Sequence, residues 1–142
     1  MAISTGYRYS ALIHPLHAVL LAGTVPLFLG AALSDYAYSS TYEIQWNNFA
    51  SWLITGGLLF AGIALLFAVI DLCRASRRAP GIFLYAAILL ATWVIGFYNA
   101  LMHARDAWAS MPAGLVMSVI VAVLACVATW SGFHARRLGG MK

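Results

Sequence analysis

SALIHPLHAVLLAGTVPLFLGAALSD, residues 10–35, is an apolar stretch long enough to cross a bilayer, and its few polar side chains are not scattered. His14, His17, Leu21, Thr24, Phe28, Ala31 and Asp35 follow one another at alternating steps of three and four. On a helix that spacing gathers all seven on one stripe. Two histidines stand at one end of the stripe, a carboxylate at the other, and Pro26 lies between them. Ionisable groups inside a membrane segment are costly and usually turn toward a bundle interior, so this stripe is the default functional face.

The rest of the chain has the same character. Of its 142 residues 63% are hydrophobic and 8% charged, whereas a water-soluble domain carries about 25% charged residues. With a mean hydropathy of +0.88, too few charges remain for a soluble surface, and the chain reads as an integral membrane protein. At about 20 apolar residues per crossing, the length accommodates four spans and short loops, with no separate soluble domain. Arg8 ahead of an apolar run, with Ala32-Leu33-Ser34 after it, imitates a signal peptide. The run exceeds a typical signal core and is read as the first membrane helix.

The expected helices cover about residues 12–34, 49–72, 82–103 and 113–133. Pro26 should bend the first, because it frees the carbonyl of Ala22. Residues 35–48, DYAYSSTYEIQWNN, are the most polar stretch and are expected to form a tyrosine-rich loop. The second helix places Ser51, Thr55 and Gly62 near one face. The third carries Tyr85, Thr92, Gly96, Asn99 and His103 on one stripe. The fourth, opened by Pro112, aligns Ser118, Ala122, Ala125, Thr129 and Gly132. Small residues at such spacing let membrane helices approach closely. The expected fold is all-α, an integral-membrane up-down four-helix bundle with these stripes turned inward.

Seven of the eight basic residues fall in the N-terminal lead, the turn after the second helix (Arg74, Arg77, Arg78) and the tail; Arg105 alone falls elsewhere. By the positive-inside rule both termini are cytoplasmic. Trp46, Trp52 and Trp108 then mark an outer aromatic belt and Trp130 an inner one, while Trp93 falls mid-span as core packing. The basic residues sit between or after spans, so the net charge of +4 does not point to nucleic acid. Cys73 and Cys126 lack metal-finger or redox spacing and read as ordinary small residues.

His14-Pro15-Leu16-His17 opening an apolar helix that ends in Asp35, followed by a second apolar helix that ends in Asp71 before an arginine-rich turn, resembles the bacterial four-helix membrane family catalogued as domain of unknown function 2231. The resemblance spans nearly the whole chain and implies a bacterial inner-membrane protein without an assigned activity. Association of relatives with redox modules such as iron–sulfur domains implies a link to electron transfer. Many relatives carry a histidine near the start of helix three, where this chain has none; its His103 lies at the other end.

Three chemistries are open to these residues. A b-type haem needs two axial ligands at similar depth, and helices one and three run parallel, so His17 and His103 lie on opposite sides of the membrane and cannot share one. An inner haem would instead pair His14 or His17 with His134, although His134 lies on the far side of helix four from Ala125; an outer one would pair His103 with Met111. A quinone suits either end: His103, Asn99 and Asp35 can converge at the outer end near Tyr36 and Trp108, and His14 and His17 lie beside the arginine turn at the inner end. A divalent metal would use His14 and His17 at i, i+3, with Asp71 as a third ligand. The competing structural reading makes these residues helix caps and headgroup contacts. No GxSxG, P-loop or glycine-rich phosphate cradle supports hydrolytic or nucleotide chemistry.

The leading expectation is a small redox-associated bundle passing electrons between a periplasmic or membrane partner and the quinone pool. His14, His17 and His103 are its expected ligands, with Asp35 and Asn99 orienting them. The alternative is a non-catalytic anchor or assembly subunit that docks a periplasmic partner through residues 35–48. A homo-oligomer is compatible with the glycine-lined faces, although no GxxxG motif specifies one. A reporter fused after Lys142 is expected to read as cytoplasmic; a periplasmic signal would overturn the assigned orientation.

Overall fold

The computed structural model describes residues 14–74, 81–105 and 107–139. The described residues form five helices and no strand: α1 Pro15–Thr41, α2 Ile44–Cys73, α3 Ile82–His103, the one-turn α4 Ala107–Ser110, and α5 Ala113–Gly139. Four of them are long and apolar enough to cross a membrane. Pro15 enters α1 in its first turn, where no intrahelical N–H is needed.

Around the bundle α1 packs on α2 and α5, and α3 packs on the same two helices. That order places α1 and α3 on a diagonal. Two hydrogen bonds cross it, His17 to Tyr85 and Asp35 to His103, each joining residues 68 apart in sequence. The constant offset means that α1 and α3 run parallel, as an up-down bundle requires. The two contacts lie eighteen residues apart along each helix, or about 27 Å, close to the thickness of a bilayer's hydrocarbon core.

The inward stripe of α1 comprises His17, Leu21, Thr24, Phe28, Ala31 and Asp35, and it continues to Tyr38. Tyr85, Leu89, Thr92, Gly96, Asn99 and His103 are buried on α3, and Ser118, Ala122, Ala125 and Gly132 on α5. These stripes match the expected ones, except that Thr129 is only half-buried beside the fully buried Ala128, and that His14 falls outside. His14 stands just before α1, exposed, and is not part of the inward face.

Helix α2 departs from expectation. Its buried seam is Ala50, Ile54, Gly57, Ala61, Ala64 and Ala68, not Ser51, Thr55 and Gly62. Ser51 and Thr55 donate to the carbonyls of Asn47 and Ser51 on their own helix at 2.9 and 2.8 Å. A hydroxyl satisfied in this way does not force its residue inward, even in lipid. The alanine seam lets α2 approach the helices beside it closely. At Gly57 the close approach is tight: a Cβ there would lie 2.7 Å from the ring of Phe28.

Most of the expected loop 35–48 is helix as well. Ser39, Ser40 and Thr41 donate to the carbonyls of Tyr36, Tyr36 and Ala37, which lets the polar segment extend α1 without unpaired hydroxyls. The chain reverses at Tyr42 and Glu43 alone. Tyr42 takes a left-handed φ of 55° and donates its N–H to the Tyr38 carbonyl at 2.7 Å. At 27 and 30 residues, α1 and α2 measure about 40 and 45 Å, longer than the roughly 30 Å of a hydrocarbon layer. Tyr36, Tyr42, Trp46, Trp52 and Trp108 are exposed at the hairpin end, with Tyr42 stacked on Trp108 at 5.3 Å. Trp93 is half-buried mid-span. It donates to the Leu58 carbonyl at 3.2 Å and stacks on Phe97.

Gly57→Ala is expected to destabilise the bundle by about 1–3 kcal/mol through overpacking against Phe28. Gly56→Ala, whose Cβ would meet Leu27 at an ordinary 3.5 Å, should be neutral or mildly stabilising. Unfolding of the two variants in mixed detergent measures the difference; equal stability would refute the tight seam.

Candidate functional site

The largest buried polar assembly lies at the end of the bundle marked by the α1–α2 hairpin. Asp35 reaches it from α1, Asn99 and His103 from α3, and Ser118 from the first turns of α5. Asp35 is 0% exposed, Asn99 and Ser118 1%, and His103 6%. His103 Nε2 lies 2.7 Å from Asp35 Oδ1, and His103 Nδ1 lies 3.0 Å from the Asn99 carbonyl oxygen. Ser118 Oγ donates to Asp35 Oδ2 at 2.5 Å and accepts from Asn99 Nδ2 at 2.7 Å. Asn99 Oδ1 is buried with no hydrogen-bond partner.

These contacts determine the proton inventory. A carbonyl oxygen only accepts, so His103 Nδ1 carries a hydrogen. One further proton then lies between Nε2 and Oδ1. The pair is either imidazolium with carboxylate or imidazole with carboxylic acid, and its net charge is zero in both forms. A neutral, fully engaged pair is the arrangement in which an acid and a base can occupy a bilayer segment at tolerable cost.

Local structure explains the convergence. Asp35 lies on the α1 stripe, and Asn99 and His103 are one helical turn apart on α3, so both face the diagonal. Ser118 descends from the start of α5 to the same depth. Gly114, one turn earlier, allows α5 to pass over the imidazole: a Cβ there would lie 3.0 Å from His103 Cε1. Beside the network, Ser110 Oγ donates to the Ala107 carbonyl at 2.6 Å and lies 3.4 Å from Asn47 Oδ1, which ties α4 to the start of α2.

A second, smaller cluster occupies the opposite end. His17 Nε2 and the Tyr85 hydroxyl share a 2.8 Å hydrogen bond, and the imidazole stacks on Phe67 with ring centres 5.3 Å apart. His14 stacks on the same Phe67 at 5.9 Å from its exposed position. Gly132 makes room for this cluster, since a Cβ there would lie 2.7 Å from Leu21 and 2.8 Å from Tyr85. Thr129 Oγ1 donates across to the Leu21 carbonyl at 3.2 Å.

The structure thus brings Asp35, Asn99 and His103 together at one end and keeps His17 a full span away. His14 and His17 do not jointly face the interior, because the helical stripe begins only at His17. Among the described residues no group of three or more His, Cys, Asp or Glu is placed to hold a metal ion. Haem fits these side chains poorly. The two buried histidines are separated by the bundle's length, and the Nε2 atom of each is engaged in a buried hydrogen bond. His134 lies exposed on α5, and Asp71 is half-buried near the end of α2. Cys73 and Cys126 are exposed free thiols.

Ser118 and Tyr85 figure in the sequence reading only as members of stripes. Counting depth identifies both. Tyr85 precedes His103 by the same eighteen residues that separate His17 from Asp35, and Ser118 lies within about one turn of the start of α5 as Asn99 lies within about one turn of the end of α3. The family described as Predicted membrane protein (DUF2231) matches residues 13–138. No curated protein matches the chain, and no solved structure matches it.

Asp35→Ala leaves a buried imidazole and a buried hydroxyl without their acceptor and is expected to cost about 3 kcal/mol. Adding His103→Ala should cost much less than the sum of the two single changes, because the pair acts as a unit. His14→Ala should fall within about 0.5 kcal/mol of the parent. Unfolding free energies of the parent and the four variants test this, and additivity of Asp35→Ala and His103→Ala would dissolve the pair.

Proposed function

We propose that this chain, which belongs to the DUF2231 family of predicted membrane proteins, is a redox-associated protein of the bacterial inner membrane whose working part is the Asp35–His103–Ser118–Asn99 network. On this reading the network lies at the periplasmic side, with both termini in the cytoplasm. It serves as the hydrogen-bonding and proton-accepting partner of a quinone-type molecule rather than as a haem scaffold.

One observation carries the reading: a buried histidine and a buried aspartate are hydrogen-bonded, Nε2 to Oδ1 at 2.7 Å, at one end of the bundle. Quinone chemistry couples electron transfer to proton transfer at a carbonyl or hydroxyl oxygen. A His–Asp pair can supply both a donor for the carbonyl and an acceptor for the hydroxyl once it releases one of its present bonds to the ligand. The exposed aromatic rim at the same end offers flat apolar faces to a ring of this kind. At the other end the buried histidine meets a tyrosine hydroxyl. Electrons would pass to or from a separate redox partner, since the chain's own residues supply the proton chemistry only.

The alternative is an anchor that docks a periplasmic partner through the α1–α2 hairpin. It is favoured by the exposed Tyr36, Tyr42 and Trp46 there. A short-tail ubiquinone titrated into the protein in lipid nanodiscs separates the two. Saturable quenching of tryptophan fluorescence is expected, with affinity falling at least about tenfold in His103→Gln while helicity is retained. Absence of saturable quenching, or equal affinity in the variant, leaves the anchor as the working function.

A further inference from the structure

The unpartnered Asn99 Oδ1 follows from the proton count of the network. Ser118 has one hydroxyl hydrogen and gives it to Asp35 Oδ2. With that hydrogen committed, Ser118 can only accept from Asn99, so the amide must present Nδ2 and leave Oδ1 without a donor. The orientation of the Asn99 amide is the one that an unprotonated Oδ2 requires.

A second arrangement has the same number of hydrogen bonds. If an aqueous proton adds to Asp35 Oδ2, that oxygen becomes a donor and Ser118 Oγ its acceptor. The serine hydrogen is then released toward Asn99, whose amide turns by half a revolution so that Oδ1 accepts it. His103, as imidazolium, keeps its bonds to Asp35 Oδ1 and the Asn99 carbonyl. One proton is gained, so the buried site passes from neutral to a single positive charge, which is the cost of the second arrangement; no covalent bond between heavy atoms changes, and four hydrogen bonds are exchanged for four. The unpaired amide atom becomes Nδ2 in place of Oδ1, so neither arrangement is penalised by an additional orphan.

We propose that the Asp35–Ser118–Asn99 chain is a binding site for one additional proton, with the Ser118 hydroxyl reversing and the Asn99 amide turning as the proton enters. Asp35 is the proton acceptor, and Ser118 and Asn99 are positioning residues. The polar and titratable groups around Asp35 are few. His103 faces it from α3 and Ser118 from α5, and from α2 the nearest buried polar side chain toward that end is Asn47. Tyr38 lies buried one turn further along α1, while Glu43 and Arg105 are exposed outside the bundle. Asp106 lies outside the described residues. The site does not depend on quinone binding and would stand if that reading failed.

The chain makes the test tractable, since it contains four carboxylates, Asp35, Glu43, Asp71 and Asp106, and three asparagines, Asn47, Asn48 and Asn99. Protein in lipid nanodiscs is titrated with acid. Infrared difference spectra follow the carboxylic-acid carbonyl band, assigned by carboxyl-labelled aspartate and by its loss in Asp35→Asn. Side-chain NMR of nitrogen-labelled asparagine follows the Asn99 amide. In the parent and in Ser118→Thr, which keeps the hydroxyl, the two signals should change with a common midpoint. In Ser118→Ala the Asn99 signal should lose its response while Asp35 still titrates. The proposal is overturned if Asp35 takes no proton before helicity is lost, if Asn99 is unchanged as Asp35 protonates in the parent, or if Ser118→Ala leaves the two signals coupled. Because the parent and Ser118→Thr carry the decisive readout, misfolding of Asp35→Asn does not obscure the result.

Discussion

The hydrogen bond between His103 Nε2 and Asp35 Oδ1 joins two helices that otherwise hardly touch, since α1 and α3 stand on a diagonal of the bundle. In water such a pair would contribute little, because both groups would be solvated without each other. Within a membrane span the alternative to pairing is an unsolvated charge or an unsatisfied polar atom. The pair therefore acts as a constraint on register: α1 and α3 can slide past one another only by breaking it. Ser118 extends the constraint to α5, which must enter at the depth where its hydroxyl reaches the second carboxylate oxygen.

The His17–Tyr85 bond applies a similar restraint at the far end, one span-length away. Two fixed points on a diagonal define both the relative height and the parallel direction of a helix pair. Between them the interior is filled mainly by Phe28, Leu89, Val121 and a set of alanines and glycines, and its inter-helix polar contacts are made to backbone carbonyls, Thr129 to Leu21 and Trp93 to Leu58. The ends do different chemistry. At one end a phenol hydroxyl meets an imidazole stacked on Phe67, whereas at the other an imidazole meets a carboxylate whose second oxygen is held by Ser118.

Several elements follow from how lipid treats polar groups rather than from polarity alone. Ser51 and Thr55 return their hydroxyls to their own helix and leave the seam of α2 to alanine and glycine. Ser39, Ser40 and Thr41 do the same and convert an expected loop into the last turns of α1. By contrast Asp35, Asn99 and His103 have side chains that cannot be satisfied by the preceding turn alone, and they find partners across the bundle. A hydroxyl is locally solvable; a carboxylate is not.

The membrane environment, the four spans and the inward stripes of three helices were legible along the whole chain, and the grouping of Asp35, Asn99 and His103 at one end in residues 10–35 and 82–103. They depend on composition and on a helical period of 3.6, which a linear chain displays directly. Partner identities were not legible: that Ser118 completes the carboxylate's shell, that Tyr85 holds His17, that His14 is left outside, and that α2 turns alanines rather than hydroxyls inward. Each depends on relative height and rotation between separate helices, which sequence spacing leaves open. Those quantities are decided only when the whole bundle must pair every buried donor and acceptor at once, in a solvent that offers them nothing.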